Sequence, residues 1–316
     1  MPEVSIVIPN YNGERFLKAC LTSLFDKTTI DMDVIVVDNG SQDKSLLIME
    51  TYEHVQVVKL RKNYGFCTAV NIGIMKANTP YVLLLNNDVV IETGFVEALL
   101  ESIKKDVRTF SVEALMIQYH HTGLVDSAGT YYNAMGWAFA KGKDKALAAY
   151  EKPRSSFAAC GGAAIYRKEV FETIGYFDEL HFAYLEDVDL GYRARLYGYK
   201  NRYEPNARVY HLGSGASGSR HNAFKAKYSG RNNIFLIYKN MPLWQILLNV
   251  PLLLMGFLIK ILFYCRKNLG GAYIKGILEG IALCKPQRKL VNRIKPSVLI
   301  LINIQLKLWI YVFYRF

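Results

Sequence analysis

Short apolar runs alternate with segments of helical periodicity in residues 1–107. Apolar runs rich in β-branched residues predict strands, and apolar residues at helical spacing predict the helices between them. The predicted strands cover 4–9, 34–37, 55–60 and 81–85, and the clearest predicted helices cover 16–25 and 69–75. Strands that alternate with helices favour a parallel sheet whose ligands bind beyond the carboxyl ends of the strands. We therefore predict an α/β fold with a Rossmann-like, mostly parallel sheet flanked by helices.

The pattern becomes less regular from residue 108. Strand-like runs cover 110–117 and 158–166, and a Gly/Ser/Ala-rich stretch separates them. Residues 186–197 show helical spacing with acids in the first turn, and Gly198 is a suitable helix stop. We interpret 1–240 as one domain with two halves, 1–107 and 108–240.

The chain changes character after Pro242. Residues 243–259 are almost wholly apolar, and a second apolar stretch covers 297–313. Both are borderline for the ~20 residues of a membrane-spanning helix. Polar or helix-breaking residues interrupt them at Gln245, Asn249, Pro251, Gly256, Asn303, Gln305 and Lys307. The interruptions favour helices in the membrane plane or a re-entrant hairpin, with transmembrane spans and a soluble oligomer interface as the alternatives.

The positive charge is concentrated in this same C-terminal region. Of the formal net charge of +12, residues 241–316 contribute +10, because they hold eleven Lys or Arg and one acid, Glu279. Residues 1–240 therefore carry +2. A basic surface spread over the chain would favour nucleic acid, whereas a basic, apolar tail favours anionic lipid headgroups. We predict a membrane surface as partner and no nucleic acid.

Cysteine usage and the N-terminal sequence bear on the compartment. The five cysteines are widely spaced and form no CxxC pair, so neither a disulfide framework nor a zinc site is indicated. The sequence MPEVSIVIPNYNG shows no basic segment followed by an apolar segment, as a secretory signal would. We expect residues 1–240 to face the cytoplasm.

Polar residues follow the first two predicted strands. A carboxylate and amides at neighbouring strand ends can satisfy the imide and carbonyls of a nucleotide base, and a tyrosine can stack on it. Asn and Asp also simply form turns, which is the alternative explanation. No GxGxxG follows the first strand, so a dinucleotide-dependent dehydrogenase is excluded. The residues concerned are Pro9, Asn10, Tyr11, Asn12, Asp38 and Asn39.

A further polar triplet, Asn86-Asn87-Asp88, follows the strand predicted at 81–85. A hard divalent ion that bridges two phosphates needs oxygen ligands, and Asp88 is the charged ligand available there.

The ordered set of motifs resembles glycosyltransferase family 2, whose members are mostly inverting enzymes with the GT-A fold. The resemblance covers residues 3–240, and within the family it is strongest to bacterial rhamnosyltransferases of cell-surface polysaccharide synthesis. The motifs, in order, are VSIVIPNYNG, VVDNGSQD, NYGFCTAVNIGI, LLLNNDVV, VDSAGTYYNAMGWAF, CGGAAIYRKEVFETIGYFDE, FAYLEDVDLGYRARLYGYK and VYHLGSG.

The resemblance implies roles for the matching residues on the nucleotide side. Asp38 and Asn39 would contact the base, and the nucleotide-sugar cleft would be lined by Asn63, Gly65 and Asn71. The triplet replaces the family's Asp-x-Asp, so Mn²⁺ or Mg²⁺ would depend on Asp88 and on His211, a neutral imidazole ligand.

The resemblance also implies the catalytic and sugar-binding residues. Asp187 matches the general base that accepts the proton of the acceptor hydroxyl, and Glu186 would bind a substrate hydroxyl. Asp189 should point away from Asp187 and pair with Arg193 four residues on. The acceptor half, 108–240, would contact sugar through Trp137, Gly161, Gly162 and Tyr184, although Trp137 and Tyr184 suit a core equally well.

These expectations define a membrane-attached inverting glycosyltransferase on the cytoplasmic side of the membrane. The favoured donor is dTDP-rhamnose, with UDP-hexose or UDP-galactofuranose as alternatives, and the acceptor is a lipid-linked or cell-envelope glycan. Rival classes are a non-catalytic nucleotide-sugar-binding protein, a nucleotidyltransferase and a structural membrane protein; a homo-oligomer is left open. The enzymatic reading requires Asp88, His211 and Asp187 to converge on one pocket.

Overall fold

The structure is a computed structural model that describes residues 1–212 and 221–314. The end of the VYHLGSG motif, residues 213–215, and Arg315 lie outside the described residues. The described part is a mixed α/β fold with a large central sheet between helices, as the sequence predicted.

The first half forms the parallel part of the sheet. Four strands lie in the order β3, β2, β1, β4, and all their pairings are parallel. Their bounds are β1 Val4–Asn10, β2 Met32–Asp38, β3 Val55–Lys59 and β4 Tyr81–Leu85. The connecting helices are α1 Glu14–Lys27, α2 Ser45–Met49 and α3 Phe66–Lys76. Each strand and helix predicted in this half is confirmed, with ends shifted by a few residues.

The chain beyond β4 extends the sheet with mixed pairing. Its strands are β5 Val89–Ile91, β6 Thr109–Gln118, β7 His121–Ser127, β8 Thr130–Tyr132, β9 Ala138–Ala140, β10 Arg154–Ser156, β11 Ala163–Arg167 and β12 Lys200–His211, of which β8 and β9 form a separate two-stranded sheet. Its helices, up to residue 196, are α4 Phe95–Lys104, α5 Glu169–Ile174 and α6 Glu186–Leu196, with single 3₁₀ turns at Leu147–Tyr150 and Glu179–His181. The sheet order, in the described residues, is β10, β12, β6, β11, β4, β1, β2, β3, with β5 on β12 and β7 on β6.

The strand predicted at 158–166 begins later than expected. Cys160, Gly161 and Gly162 form a turn, closed by a hydrogen bond from Ala163 N to Cys160 O at 3.3 Å. The strand therefore starts at Ala163 and runs antiparallel to both β4 and β6. The sheet is parallel on the side of β1 to β4 and mixed beyond it.

Alternating side chains of the central strands fill two cores, one on each face of the sheet. Ile6 and Ile8 pack with α1, α2 and α4, whereas Val7 packs with α3, α5 and α6. Both faces are covered, which is why these strands read as continuous apolar runs. The polar strand ends are thereby left at one edge of the sheet.

The C-terminal helices are α7 Ala223–Asn240, α8 Leu243–Cys265, α9 Gly270–Leu283, α10 Leu290–Ile294 and α11 Val298–Tyr314, with a 3₁₀ turn at Pro286–Arg288. Helix α9 crosses α7 in close contact, because a Cβ on Gly276 would lie 2.0 Å from the carbonyl oxygen of Lys227. Helix α11 contributes Leu301 and Leu308 to a core shared with Tyr131 and Tyr192. Residue 240 is thus a boundary of composition, and the core continues across it.

Three polar residues of α8 and α11 face inward. Asn249 and Gln305 exchange two amide hydrogen bonds of 2.9 Å, and Gln245 Nε2 donates to Leu301 O at 2.9 Å. The outward face of α8 is apolar and exposed along its length. These three interruptions are therefore satisfied inside the structure, whereas Asn303 lies on the exposed side of α11.

Helix α8 lies along the rest of the protein rather than projecting from it. It begins three residues after α7 ends, and near its own end Phe263 contacts His221, just before α7, at a ring distance of 5.3 Å. In its middle, Trp137 Nε1 donates to Gly256 O at 3.1 Å. Helix α8 is also the one described helix long and apolar enough to cross a membrane, with a mean hydropathy of 2.4.

Candidate active site

A cleft of about 730 Å³ opens at the carboxyl ends of β1, β2 and β4. Most of the residues predicted for the site line it, and they come from both halves of the chain. The predicted residues that line the cleft are Pro9, Asn10, Tyr11, Asn39, Asn63, Gly65, Asn86, Asn87, Asp88, Gly161, Gly162, Tyr184, Glu186, Asp187 and His211. The required convergence of Asp88, Asp187 and His211 on one pocket is therefore met.

Amide side chains brace one another on the nucleotide side of the cleft. Asn87 Nδ2 donates to Asn10 Oδ1 at 2.7 Å, and Asn10 Nδ2 donates to Asp38 Oδ1 at 3.0 Å. Asn39 Nδ2 donates to Asn63 Oδ1 at 3.1 Å. Paired amides have fixed orientations, so their remaining donors and acceptors present a fixed pattern to a ligand.

A glycine is required at position 65, because the backbone there lies directly against Phe182. Its φ of +94° is in the region that favours glycine, and a Cβ there would lie 2.6 Å from the ring of Phe182. The ring of Phe182 closes the cleft against this backbone.

Four predicted site residues do not line the cleft. Asp38 is 2% exposed, and its oxygens accept from Asn10 Nδ2 and Ser41 N. It therefore orients Asn10, which lines the cleft. The Asn12 side chain accepts from Gln42 N. Asn71 is buried, and both ends of its amide bond the backbone of Phe177.

Trp137 is the fourth. Its indole donates to a carbonyl of α8, so this residue joins the helical region to the domain. Asn12, Asp38 and Asn71 each bond other parts of the protein, and the ligand contacts expected of all four residues stay predictions.

Asp88 and His211 are brought together by the pairing of β5 with β12. His211 lies opposite Val89 in that antiparallel pair, and Leu212 N donates to Asp88 O at 3.0 Å. As a result, His211 Nε2 lies 3.5 Å from Asp88 Oδ2. Residues 123 positions apart share one site because a three-residue strand follows Asp88 directly.

Asp126, on β7, orients His211 from the other side. The Nδ1–H of His211 donates to Asp126 Oδ2 at 2.8 Å, and the other oxygen of Asp126 bonds the Lys143 ammonium. Burial disfavours the charged imidazole. The hydrogen bonds that the imidazole donates to Asp126 and Asp88 outweigh this effect and raise the pKa of His211 to about 9. Burial likewise opposes the charge of Asp126, and His211 and Lys143 outweigh it and lower its pKa to about 2.

This donor set fits a divalent metal. A carboxylate oxygen and an imidazole nitrogen face each other, and the second imidazole nitrogen bonds a carboxylate, as metal-binding histidines usually do. Such an oxygen and nitrogen pair suits Mn²⁺ well and Mg²⁺ through its oxygens. Asp88 and His211 are therefore the residues that would hold the ion.

Two adjacent carboxyl groups, Glu186 and Asp187, begin α6 and line the opposite wall. Burial raises the pKa of Asp187 to about 6. Burial and the charge of Asp187 together raise the pKa of Glu186 further. The pair therefore ionises first at Asp187, which suits a group that must accept a proton near neutral pH.

Asp189 faces the other way, as predicted. Its Oδ2 accepts from Arg193 Nε and Lys239 Nζ, each at 2.9 Å, and Oδ1 accepts from Asn240 at 2.8 Å. Burial disfavours its charge, but Lys239 and Arg193 hold the pKa of Asp189 well below its ordinary value.

Asp178, His181 and Asp189 lie close enough together to suggest a second metal site. Lys239 already contacts Asp178 at 2.6 Å and Asp189 at 2.9 Å, so a protein cation occupies the position that a metal would take. Burial lowers the pKa of His181 to about 4, so it is neutral. We interpret this cluster as the buried anchor of α6.

The loop that precedes Glu186 is held in an unusual backbone conformation. Phe182, Tyr184 and Leu185 have φ values of 62°, 70° and 65°. Such values are costly for residues with side chains and persist only where neighbours impose them. Asn232 on α7 imposes them here, because its amide nitrogen lies 2.7–2.9 Å from the carbonyl oxygens of residues 181, 183 and 184.

Sequence reasoning missed several cleft residues. Cys160, Phe182, Asn222, Phe224 and Lys225 line the cleft without having been predicted. Asp126 belongs to the motif VDSAGTYYNAMGWAF, but the sequence predicted no role for it.

Comparison with known proteins now identifies the family. A sequence profile described as glycosyl transferase family 2 matches residues 5–175, more than half of the chain. The chain belongs to glycosyl transferase family 2. It is therefore a glycosyltransferase, and the family predicted from the motifs is confirmed.

Several relatives and solved structures are similar to this family 2 member. The N-acetylglucosaminyl-diphospho-decaprenol L-rhamnosyltransferase of Mycobacterium tuberculosis is 26% identical over 266 residues, 76% of this chain and 86% of the relative. A GalNAc-T7 structure with UDP, GalNAc and Mn²⁺ gives a TM-score of 0.60 at 19% identity, over 76% of this chain and 48% of that chain. A Pyrobaculum calidifontis mannosyltransferase with GDP-Man and Mn²⁺ gives 0.56 at 13% identity, over 97% and 87%. At these identities the two structures support the GT-A fold alone.

Proposed function

We propose that this family 2 enzyme transfers a sugar, with inversion, from a nucleoside diphosphate sugar to a lipid-linked or cell-envelope glycan. The observation that carries the proposal is the meeting of Asp88, His211 and Asp187 in one cleft. One wall has the groups that suit a metal diphosphate, and the other has a carboxylate with a raised pKa.

The residues divide the reaction between the two walls. Asp187 accepts the proton of the acceptor hydroxyl as its oxygen attacks the anomeric carbon opposite the departing diphosphate. Glu186, protonated beside it, binds a sugar hydroxyl. Asp88 and His211 would hold the divalent ion, which would offset the charge that develops on the leaving diphosphate. Asn10, Asn39 and Tyr11 bind the nucleotide at the strand ends.

The favoured donor is dTDP-rhamnose. The support is the rhamnosyltransferase relative, which matches this chain over 86% of its own length. UDP-hexose or UDP-galactofuranose is the alternative, because similar folds bind UDP and GDP sugars. A non-catalytic nucleotide-sugar-binding protein is the alternative of another class. The meeting of Asp88, His211 and Asp187 in one cleft, together with membership of the family, favours the enzyme.

We propose attachment to the membrane surface through α8, α9 and α11, with the cleft on the cytoplasmic side. Many exposed residues of these helices are apolar, while Asn249 and Gln305 pair inside, which is an arrangement suited to contact with lipid. Helix α8 contacts the rest of the described protein near its start through Gln245, in its middle through Gly256 and near its end through Phe263, so it could span a bilayer only by leaving those contacts. This favours peripheral or in-plane attachment, and the basic residues of 241–316 suit anionic headgroups.

A nucleotide-sugar panel tests the enzymatic proposal. The full chain is incubated with dTDP-rhamnose, UDP-hexoses and UDP-galactofuranose, with and without Mn²⁺, and sugar release and transfer are measured. We expect one donor to be consumed only when the metal is present. Failure of all donors to bind or react, with the fold intact, would refute the proposal.

A further inference from the structure

The mouth of the cleft touches the outward face of α8. Asn222, Phe224 and Lys225, at the start of α7, line the cleft. His221, directly before them, packs its ring against Phe263 of α8 at 5.3 Å. The cleft and the apolar surface proposed to meet lipid are therefore separated by one residue.

Exposed aromatic and aliphatic side chains lie both on α8 and in the mouth of the cleft. Phe263 is 40% exposed and lies beside the exposed Leu262 and Ile259 on α8. Phe224 is 43% exposed inside the mouth, with Tyr228 and Tyr184 at ring distances of 4.6 and 6.0 Å. Exposed aromatic groups that run from a surface into a cleft are suited to an apolar chain that enters with its head group.

Positive charge is placed at the inner end of this surface. Lys225 lines the cleft, and burial together with the nearby charge of Lys143 lowers its pKa. Lys143 is itself bound to Asp126. A lysine ammonium that lines a cleft favours an anion with several oxygens, of which a diphosphate is the simplest biological example.

We propose that Lys225 binds the diphosphate of a polyprenyl-diphosphate-linked acceptor, whose chain lies along Phe224 and Phe263 onto the outward face of α8. This inference rests on the proposed function, which supplies the lipid-linked acceptor. The donor also contains a diphosphate, but it has no apolar chain to occupy the surface beside Lys225. The metal-binding pair, Asp88 and His211, already serves the donor diphosphate.

Binding of prenyl diphosphates by the full chain tests the proposal. Geranylgeranyl diphosphate, isopentenyl diphosphate and geranylgeraniol are titrated in detergent by calorimetry, alone and with saturating UDP or dTDP and Mn²⁺. We expect the long diphosphate to bind more tightly than the short one and than the alcohol, and to bind together with the nucleoside diphosphate.

Two substitutions separate the head group from the chain. Lys225→Met should weaken both prenyl diphosphates about tenfold, as for one lost charge-assisted hydrogen bond, and change nucleoside diphosphate binding less than about twofold. Phe263→Ser should weaken only the long diphosphate. The matched controls are Lys227→Met, which removes a lysine paired with Glu279, and Leu247→Ser at the far end of α8; neither should change any of these affinities.

Three results would overturn the proposal. Displacement of the prenyl diphosphate by UDP or dTDP, or a loss of nucleoside diphosphate affinity in Lys225→Met, would place Lys225 at the donor. If geranylgeraniol bound as tightly as geranylgeranyl diphosphate, the surface would bind lipid without recognising a diphosphate. If nucleoside diphosphates bind and prenyl diphosphates do not, only this inference fails; if neither nucleoside diphosphates nor nucleotide sugars bind, the proposed function itself fails.

Discussion

His211 is positioned by residues that face away from the cleft. Asp126 accepts the Nδ1 proton of His211, and Lys143 holds Asp126 in place. Because the pKa of the metal-free imidazole is raised to about 9, Nε2 also carries a proton toward Asp88 at neutral pH, and a metal would displace that proton to bind the nitrogen. The imidazole therefore depends on a carboxylate that sequence reasoning did not assign.

Asp126→Asn should weaken metal binding while the fold persists. An amide is a poorer acceptor for the Nδ1 proton, so we expect about 10- to 100-fold weaker Mn²⁺ affinity, the usual scale for losing such a partner. Titration of Mn²⁺ followed by electron paramagnetic resonance measures this without turnover. Asp106→Asn, at a surface pair with Lys200, is the control. Equal affinities in both variants would show that Asp126 does not orient the ligand.

The pH dependence of transfer should report Asp187. Burial raises its pKa to about 6, and the base must be ionised to accept a proton. The value of kcat/KM should therefore be full above that pH and fall about tenfold for each unit below it. Asp187→Asn should lower transfer by about 10²- to 10⁴-fold and leave donor binding nearly intact. A flat profile from pH 5 to 8, or retained turnover in Asp187→Asn, would remove Asp187 from this role.

The sequence predicted Asp88, His211 and Asp187 because each lies in a motif with a family role. It did not predict a role for Asp126, because that role arises from irregular pairing. β7 meets β6 with shifts of register on both sides of Ile117, and this shift is not visible in the local sequence. The hydrogen bonds of Asn71 and Trp137 were not predictable for a related reason, since their partners, Phe177 and Gly256, are more than 100 residues away.

Among the helices, α7 connects the cleft to the C-terminal region. Its first turn lines the cleft, Asn232 holds the loop before Glu186, and Lys239 with Asn240 holds Asp189 on α6. Its other side packs against α9. The position of the proposed base is thus set by a helix that lies outside the residues matched by the family profile.

Asn232→Ala should disturb the loop at 182–185. It removes the donor shared by three carbonyl groups, so we expect a loss of about 1–3 kcal/mol in unfolding free energy. Because the loop lines the cleft, kcat/KM should also fall, by about 10- to 100-fold. Denaturant titration and steady-state kinetics measure the two effects. Asn303→Ala, on the exposed side of α11, is the control, and a variant indistinguishable from it would contradict the role of Asn232.

The elements themselves were partly predictable. Strands β1 to β4 follow from their apolar runs because both faces of the sheet are covered. The direction of β11 was not predictable, since it depends on where residues 119–162 return the chain to the sheet. Asn249 and Gln305 were interpreted as interruptions of an apolar surface, whereas they pair with each other across α8 and α11.

At the scale of the molecule, membrane attachment and catalytic fold cannot be separated by truncation. Removing residues 241–316 would strip Leu301, Ile304 and Leu308 from a core that also holds Tyr192 of α6. Loss of vesicle binding after that deletion could therefore result from damage to the shared core as well as from loss of the helices that contact the membrane. Substitutions on the outward face of α8 avoid this problem.

Leu247→Asp combined with Leu254→Asp should release the full chain from anionic vesicles. Two exposed leucines that enter the interface contribute roughly 1.5 kcal/mol or more each, so the partition coefficient should fall at least about 100-fold. Sedimentation with vesicles measures it. Leu47→Asp with Met75→Asp is matched in chemistry and exposure, and lies on α2 and α3. Equal release in both double variants would show that α8 does not mediate attachment.

The most direct test of the central claim is an experimental structure of the full chain with Mn²⁺ and a nucleoside diphosphate, with the metal located by anomalous scattering. We predict a single Mn²⁺ bound by Asp88 and His211, in contact with the diphosphate, and Asp187 across the cleft on the side where the sugar would lie. Mn²⁺ at Asp178, His181 and Asp189, or a diphosphate bound away from Asp88, would contradict the account.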